Sequence, residues 1–221
     1  MSAQVDVILL AGGRGSRMGG RDKATVEVAG RRLIDHCLAT IEAIAEPAAM
    51  CVVTTRPVEL PETILRATER PAFAGPVAAI AAGAQRLRAD RTPSPTTLVL
   101  AVDAPHSAQL YPQLAAALTA PAAGGENAAE QAHTAHSADT AGGDVALVRS
   151  SDGHRQPLCA LWRTASLEQA VAAVEECAGA AVSALMKNQR IITVPGDGSE
   201  RDYDTLAALE EFPPAAAQRH D

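Results

Sequence analysis

Aromatic side chains are nearly missing from this 221-residue chain: one Trp, two Tyr and two Phe amount to 2% of it. A core drawn from the 47% of hydrophobic residues must therefore rest on Ala, Val, Leu and Ile. The length is enough to bury such a core, with one domain as the default. Cysteine is scarce as well. Cys37, Cys51, Cys159 and Cys177 lie far apart with no C-x-x-C pair, which argues against a zinc site or a redox dithiol; they read as reduced, mostly buried thiols. No long basic run occurs and the net charge is −7, so the surface-wide phosphate neutralisation that general nucleic-acid binding requires is excluded. Neither a signal peptide nor an apolar run long enough to span a bilayer is evident. A cytoplasmic protein with no nucleic-acid or membrane partner is expected.

Glycine and spaced cations are present instead, in one stretch. An apolar run over residues 5–10 reads as a buried strand, and five glycines follow within residues 12–20. Arg14 and Arg17 are interleaved with them; Arg21 and Lys23 come just after. Glycine lets the backbone turn sharply and approach a ligand closely, and consecutive loop N–H groups form an anion-binding concavity. Arg17 and Lys23 add charge-assisted hydrogen bonds suited to phosphate oxygens. The dinucleotide fingerprint fails, because Met18 stands where its third glycine belongs. The P-loop pattern fails too, because Arg21 and Asp22 follow Gly20. A bare turn does not need this many glycines with spaced cations. The loop reads as a polyphosphate cradle at the carboxyl end of the first strand.

Strand and helix patterns alternate along the rest of the chain, which predicts a largely parallel sheet with helices on both faces. Helical spacing covers residues 33–44, and strands are expected at 50–54 and 97–102. Residues 64–69 read as a short strand or an irregular edge. Pro76 opens a helix over 77–87, since its missing N–H would be unpaired there anyway. Asp103 stands at the tip of the cleanest strand, facing the crevice where open α/β sheets bind ligands; a turn before Pro105 is the plain alternative. A helix to Leu118 follows. Residues 145–149 read as a strand, 166–177 and 182–187 as helices, and 191–194 as a last strand. Trp162 reads as a core residue. Thr205 or Asp204 would cap a closing helix over 206–212, and 213–221 reads as a frayed tail. Residues 121–143 hold eight Ala and four Gly but no Val, Ile, Leu, Met or aromatic residue. Such a segment cannot offset its ordering entropy by burial and reads as an insertion, with His133 and His136 as a solvated pair.

The run Leu10-Ala11-Gly12-Gly13 to Arg17-Met18-Gly19-Gly20-Arg21-Asp22-Lys23 resembles, without a gap, the L-A-G-G-x-x-x-R-M-G-G-x-D-K signature of nucleotidyltransferases, and within them the MobA-like molybdenum cofactor guanylyltransferase group. Gly75-Pro76-Val77-Ala78, Asp103-Ala104-Pro105, Gln156-Pro157-Leu158 and Asp202-Tyr203-Asp204-Thr205 resemble further segments of the same family. The resemblance implies a single domain over 1–212 with a three-layer α/β/α, Rossmann-like sheet of the nucleotide-diphospho-sugar transferase type. One strand should be antiparallel, placed at 158–163. It also implies a site. Leu10, Ala11, Gly12, Gly13, Lys23, Glu69, Gly75 and Asp103 would bind the nucleotide, and Lys23, Arg17 and Asp103 would act in catalysis. Mg²⁺ would sit on Asp103 and Asp204, with Asp202 as a weaker candidate.

The implied reaction moves a nucleoside monophosphate, GMP from GTP in this group, onto the terminal phosphate of a molybdopterin-type acceptor, with Mg²⁺ as cofactor. Contacts with cofactor-insertion proteins and a monomer or weak oligomer are implied alongside. The chain departs from the pattern near the base. Thr68, Glu69 and Arg70 stand where an aspartate is usual, and Thr54 replaces an asparagine. Cytidylyl or other nucleotidyl transfer to a different phosphorylated small molecule, or a nucleotide-binding module without catalysis, are the alternatives at this point.

Overall fold

In the computed structural model, which describes residues 4–13, 22–120 and 142–212, the first apolar run forms β1 (Val5–Leu10), and all six of its residues are buried. A strand hidden on both faces belongs inside a parallel sheet covered by helices. A small hairpin comes next, β2 (Glu27–Val28) and β3 (Arg31–Arg32). Its turn places Ala29 (φ 48°) and Gly30 (φ 77°) in the left-handed region, as a two-residue hairpin turn requires. The main sheet has seven strands in the order β5–β4–β1–β6–β8–β7–β9. These are β4 (Ala49–Val53), β5 (Leu65–Ala67), β6 (Thr96–Ala101), β7 (Val145–Arg149), β8 (Arg155–Arg163) and β9 (Ile191–Pro195). Only β8 is antiparallel to its neighbours, which is the strand expected; β5 is short and lies at an edge.

Alternation along β1 sends successive side chains to opposite faces. Val7 and Leu9 pack with α1 (Leu33–Ala45) and α3 (Tyr111–Thr119), whereas Ile8 and Leu10 pack with α2 (Pro76–Arg88) and α4 (Thr164–Ala172). Trp162 lies in the second layer, 1% exposed. All four cysteines are free, and burial pushes Cys51 and Cys159 up to about 12, which leaves them unreactive. Among the described residues, no helix is long and apolar enough to cross a membrane.

One carboxylate interrupts the apolar centre. Asp6 on β1 is fully buried and accepts hydrogen bonds from Arg91 Nη1 at 2.7 Å, from Ser94 N at 2.8 Å and from Ser94 Oγ at 2.8 Å. A buried charge is tolerable when it is paired and saturated in this way.

Three helices differ from expectation. α4 stops at Ala172 rather than near Cys177. Glu175 and Glu176 would lie at the negative end of its dipole, and Gly179 N instead donates to Ala74 O at 2.7 Å, pulling the chain across to the loop before α2. The helix expected at 182–187 is a single 3-10 turn, Val182–Ala184. The closing helix, α5 (Leu206–Glu210), is shorter than expected and is capped by Thr205, whose side chain accepts from Ala208 N at 3.1 Å.

The insertion and tail expected at 121–143 and 213–221 lie outside the described residues, as do His133 and His136, except for Gly142 and Gly143. The two chain ends that flank the insertion are adjacent. Arg163 donates to Gly143 O at 2.9 Å and to Leu118 O at 3.3 Å, and a Cβ on Gly142 would lie 3.8 Å from Ala120 O. This is the amino end of β7, at the pole away from the carboxyl ends of β1 and β6. Replacing 121–141 with a short Gly/Ser linker is therefore expected to leave the Tm and the nucleotide chemistry unchanged. A drop of many degrees in a thermal melt would show that the segment belongs to the core.

α2 lies close to the sheet because Gly83 has no side chain: a Cβ there would sit 2.7 Å from Ile8 Cγ2 and 3.1 Å from Val53 Cγ2. Alanine favours a helix by about 1 kcal/mol over glycine, but overpacking costs about 1–3 kcal/mol. Gly83→Ala is expected to lower the Tm by about 2–4 °C; a rise in Tm would mean that the helix can move away without cost.

Candidate active site

The order of strands reverses beside β1, with β4 on one side and β6 on the other, and such a switch point opens a crevice at the carboxyl ends of the strands. Short hydrogen bonds hold the loops there level. Ala11 N donates to Val53 O at 2.8 Å and Val102 N to Leu10 O at 2.9 Å, while Thr54 N donates to Ala67 O at 3.0 Å. Gly12 and Gly13 then follow β1, Glu69 follows β5 and Asp103 follows β6. α2 begins at the same level. Its N-cap, Gly75, has φ 96°, a conformation open to glycine at little cost, and Pro76 occupies the first turn. Between these elements lies a cavity of ≈ 340 Å³, with Gly12, Gly13, Glu69 and Gly75 on its walls and Lys23 and Asp103 at one side.

Lys23 opens a 3-10 turn, Lys23–Thr25, whose cap is the Asp22 carboxylate accepting from Ala24 N at 3.2 Å. From there its Nζ donates to Asp103 Oδ2 at 2.9 Å and to Asp204 Oδ1. The three side chains are 20%, 24% and 31% exposed, so the pairing is partly shielded from water. Burial works against the charge on Lys23, but Asp103 and Asp204 outweigh it and hold its pKa above the usual lysine value. Asp204 arrives from the far end of the chain because Tyr203 N donates to Asp103 O at 2.8 Å. Tyr203 packs in turn on Phe212, with ring centres 5.0 Å apart, and Phe212 also lies against His36 and His106. Asp202 keeps one face in solvent. Partial desolvation, then the charges of Asp103 and Asp204, push its carboxyl up to about 6, with Lys23 pulling the other way.

Glu69 is a different kind of carboxylate. It is 4% exposed, and its Oε2 has no hydrogen-bond partner among the described residues. Its Oε1 lies 3.5 Å from where a Cβ on Gly12 would be, so the glycine leaves room beside it. A buried carboxylate without donors is costly, and this one borders the cavity.

Leu10, Gly12, Gly13, Lys23, Glu69, Gly75 and Asp103 are thus brought together on one cavity, and Asp204 joins them through Lys23. Ala11 is buried beneath the loop, with its N–H already donated to Val53. Arg17 lies outside the described residues. Thr54 turns its hydroxyl to Arg56 O at 3.0 Å. Phe73 and Ala79 also line the cavity and were not singled out from sequence, whereas Leu158 joins them from the Gln156-Pro157-Leu158 segment. Phe73 had a readable signal, as the sole aromatic residue in the segment before Gly75. Among the described residues, no group of three or more His, Cys, Asp or Glu side chains forms a metal cage. The donor set of Asp103 and Asp204, already gathered around an ammonium, suits a hard cation that takes one or two carboxylates and completes its shell with water and phosphate oxygens.

Comparison with known proteins agrees with this architecture. Residues 7–194 match the model of the MobA-like NTP transferase domain. A molybdenum cofactor guanylyltransferase from Shewanella sp. (strain MR-4) is 37% identical over 95 residues, covering 41% of this chain and 46% of that protein; the match spans less than half of that relative's length. Among solved structures, the molybdopterin-guanine dinucleotide biosynthesis protein A of Archaeoglobus fulgidus superposes with a TM-score of 0.56 at 16% identity, covering 93% of this chain and 95% of that one. The 2-C-methyl-D-erythritol 4-phosphate cytidylyltransferase of Thermus thermophilus also has a TM-score of 0.56, at 17% identity, covering 96% and 97%. The two likenesses establish the shared fold. The chain belongs to the MobA-like NTP transferase family.

Without the Lys23 ammonium, Asp103 and Asp204 would lose the cation they share. In chelator-treated buffer, Lys23→Ala is expected to cost about 1–2 kcal/mol, between the values for exposed and buried pairs, and added Mg²⁺ is expected to recover part of that loss. A thermal midpoint equal to that of the unaltered protein in both buffers would overturn the bridging role.

Proposed function

We propose that this MobA-like NTP transferase moves GMP from GTP onto the terminal phosphate of a molybdopterin-type acceptor. An oxygen of the acceptor phosphate attacks the α-phosphorus of GTP, the bond from that phosphorus to the bridging oxygen breaks, and pyrophosphate leaves with the electron pair. The attacking phosphate is already anionic near neutral pH, so no side chain needs to remove a proton. Catalysis is positioning and charge stabilisation. The N–H groups of the glycine loop with Lys23 and Arg17 hold the triphosphate. Mg²⁺ on Asp103 and Asp204, when bound, supplies charge neutralisation at the phosphate oxygens. Lys23, already between the two carboxylates, has only a short way to move to a phosphate.

The observation that carries the choice of guanine is Glu69. An ionised carboxylate only accepts hydrogen bonds. Guanine presents two adjacent donors, N1–H and the N2 amino group, and can satisfy both oxygens at once. Cytosine presents one amino donor beside an acceptor nitrogen, which a carboxylate repels. A buried carboxylate bordering the cavity, with Oε2 unpartnered among the described residues, therefore favours guanine. The name of the Shewanella relative supports the same choice.

Pyrophosphate release should be measured with GTP, ATP, CTP and UTP in the presence of Mg²⁺ and molybdopterin. GTP is expected to be preferred. Glu69→Gln is expected to lower kcat/KM for GTP by about 10- to 100-fold, the range for hydrogen bonds to a charged group, with smaller effects on the other nucleotides. A preference of the unaltered protein for CTP would overturn the guanine reading.

A further inference from the structure

We infer that Arg149 and Arg155 form an anion site that receives the phosphate of the acceptor. The inference rests on the nucleotide-transfer reading above and deepens it, by naming what holds the second substrate. Arg149 ends β7, Arg155 begins β8, and the two are cross-strand partners. Residues directly opposite each other in an antiparallel pair share one face of the sheet, with Cβ atoms about 5 Å apart, and like charges placed there repel. Both arginines are exposed. Arg149 gives one N–H to Gly153 O at 3.2 Å. Arg155 has no hydrogen bond or ion pair among the described residues, and neither guanidinium pairs with a described carboxylate. Asp152, in the turn between them, is occupied by that turn, accepting from Ser150 Oγ at 2.5 Å and from His154 N at 3.2 Å.

Register and alternation bring this pair to the crevice. Val145 and Leu147 pack in the layer of α2 and α4, Ala146 and Val148 in the opposite one, so Arg149, and Arg155 with it, falls on the α2 and α4 side. Leu10, Ala79 and Leu158 belong to that same layer and line the cavity. β8 is also the neighbour of β6. Their pairing ends at Leu100 and Cys159, three residues before Asp103 and four after Arg155, and beyond it the two strands extend to the same pole. Between Leu147 and Val148 the β7 register jumps from Ala160 to Gln156. Irregularities of this kind re-aim side chains beside a site, and Leu158, one of the residues skipped, is the one that lines the cavity. The reaction calls for cations on this side. It presses a dianionic phosphate against a triphosphate, whereas Lys23 and a cation on Asp103 and Asp204 serve the triphosphate. Paired guanidiniums match phosphate oxygens in geometry and charge, and an anion between them relieves their repulsion.

The test is calorimetric titration of inorganic phosphate into the unaltered protein, Arg149→Ala, Arg155→Ala and Arg155→Lys. Each is first saturated with Mg²⁺ and an analogue of its preferred NTP whose α–β bridging oxygen is methylene, so that the glycine loop is filled and no transfer occurs. The unaltered protein is expected to bind phosphate, and either alanine variant to bind it about 10- to 100-fold more weakly, the range for hydrogen bonds to a charged group, with affinity for the analogue unchanged. Arg155→Lys should keep part of the phosphate affinity. In turnover, Arg155→Ala should raise KM for molybdopterin by the same factor and leave KM for the NTP as it was. In phosphate-free buffer of low ionic strength its Tm should be no lower than that of the unaltered protein, because a like-charge contact has been removed; a clear fall would mark the residue as structural and overturn the inference. Absence of phosphate binding in the unaltered protein overturns it as well, as does equal phosphate affinity in the alanine variants or an equal loss of the analogue. If the unaltered protein does not use molybdopterin, the acceptor named above falls, and the phosphate titration still decides the role of the arginines.

Discussion

One ammonium group joins three distant parts of this chain. Lys23, from the end of the glycine loop, contacts Asp103 at the tip of β6 and Asp204 just before the last helix, so the first and last segments meet over the sheet. Tyr203 N, donating to Asp103 O, lays the strap before α5 on the tip of β6, and the Lys23 ammonium then ties both carboxylates to the start of its 3-10 turn. The rest of the site depends on that closure. It sets Lys23, Asp103 and Asp204 on the β6 side of the crevice, whereas Glu69 follows β5 on the far side of β1 and β4. Carboxylates at the two positions thus have unlike surroundings. Those near Lys23 are partly solvated and paired with a cation. Glu69 is buried, with one oxygen unpartnered among the described residues.

The sheet makes this possible by a simple division between its ends. β1, β4, β5 and β6 run in the same direction, so everything that follows their last residues appears on one side of the molecule. Glu69 and Asp103 need no elaborate loops, because each stands two residues past a strand end, β5 or β6, whose height is set by backbone hydrogen bonds to its neighbour. α2 completes the cavity and can do so because Gly83 lets it rest directly on Ile8 and Val53.

Much of this was legible in the order of residues. The unbroken apolar run at 5–10 announced a central strand, and an aspartate behind the most apolar strand announced a group at its tip; the anion site read from the glycines and cations falls largely on residues 14–21, outside the described residues. These signals are local, and periodicity or spacing carries them. Long-range pairing has no such signature. Nothing near Lys23 indicates that Asp204, 181 positions away, will share it. Asp6 was invisible for a related reason, since one acid in an apolar run looks like an interruption until its partners, Arg91 and Ser94, are found. The early end of α4 also escaped, because the apolar spacing continues past Ala172, while the hydrogen bond from Gly179 to Ala74 claims the chain for another layer. Phe73 carried a signal, an isolated aromatic in a chain almost devoid of them, but its place on the cavity wall depends on the fold.

The Asp6 network sits at the far pole from the cavity, yet it bears on the chemistry. Asp6 on β1 is in register with Thr97 on β6, and the same ladder, four steps on, pairs Leu10 with Ala101. Hydrophobic contacts between two all-aliphatic strands discriminate poorly between alignments two residues apart, because such a slip keeps every side chain on its own face. A carboxylate that finds its three donors in only one alignment does discriminate. Asp6 acts as the zero mark of a ruler whose reading is taken at the other end, where Gly12 and Asp103 both border the cavity. Evolution could thus revise the aliphatic filling of the sheet widely, provided that this one origin of measurement stayed where it is.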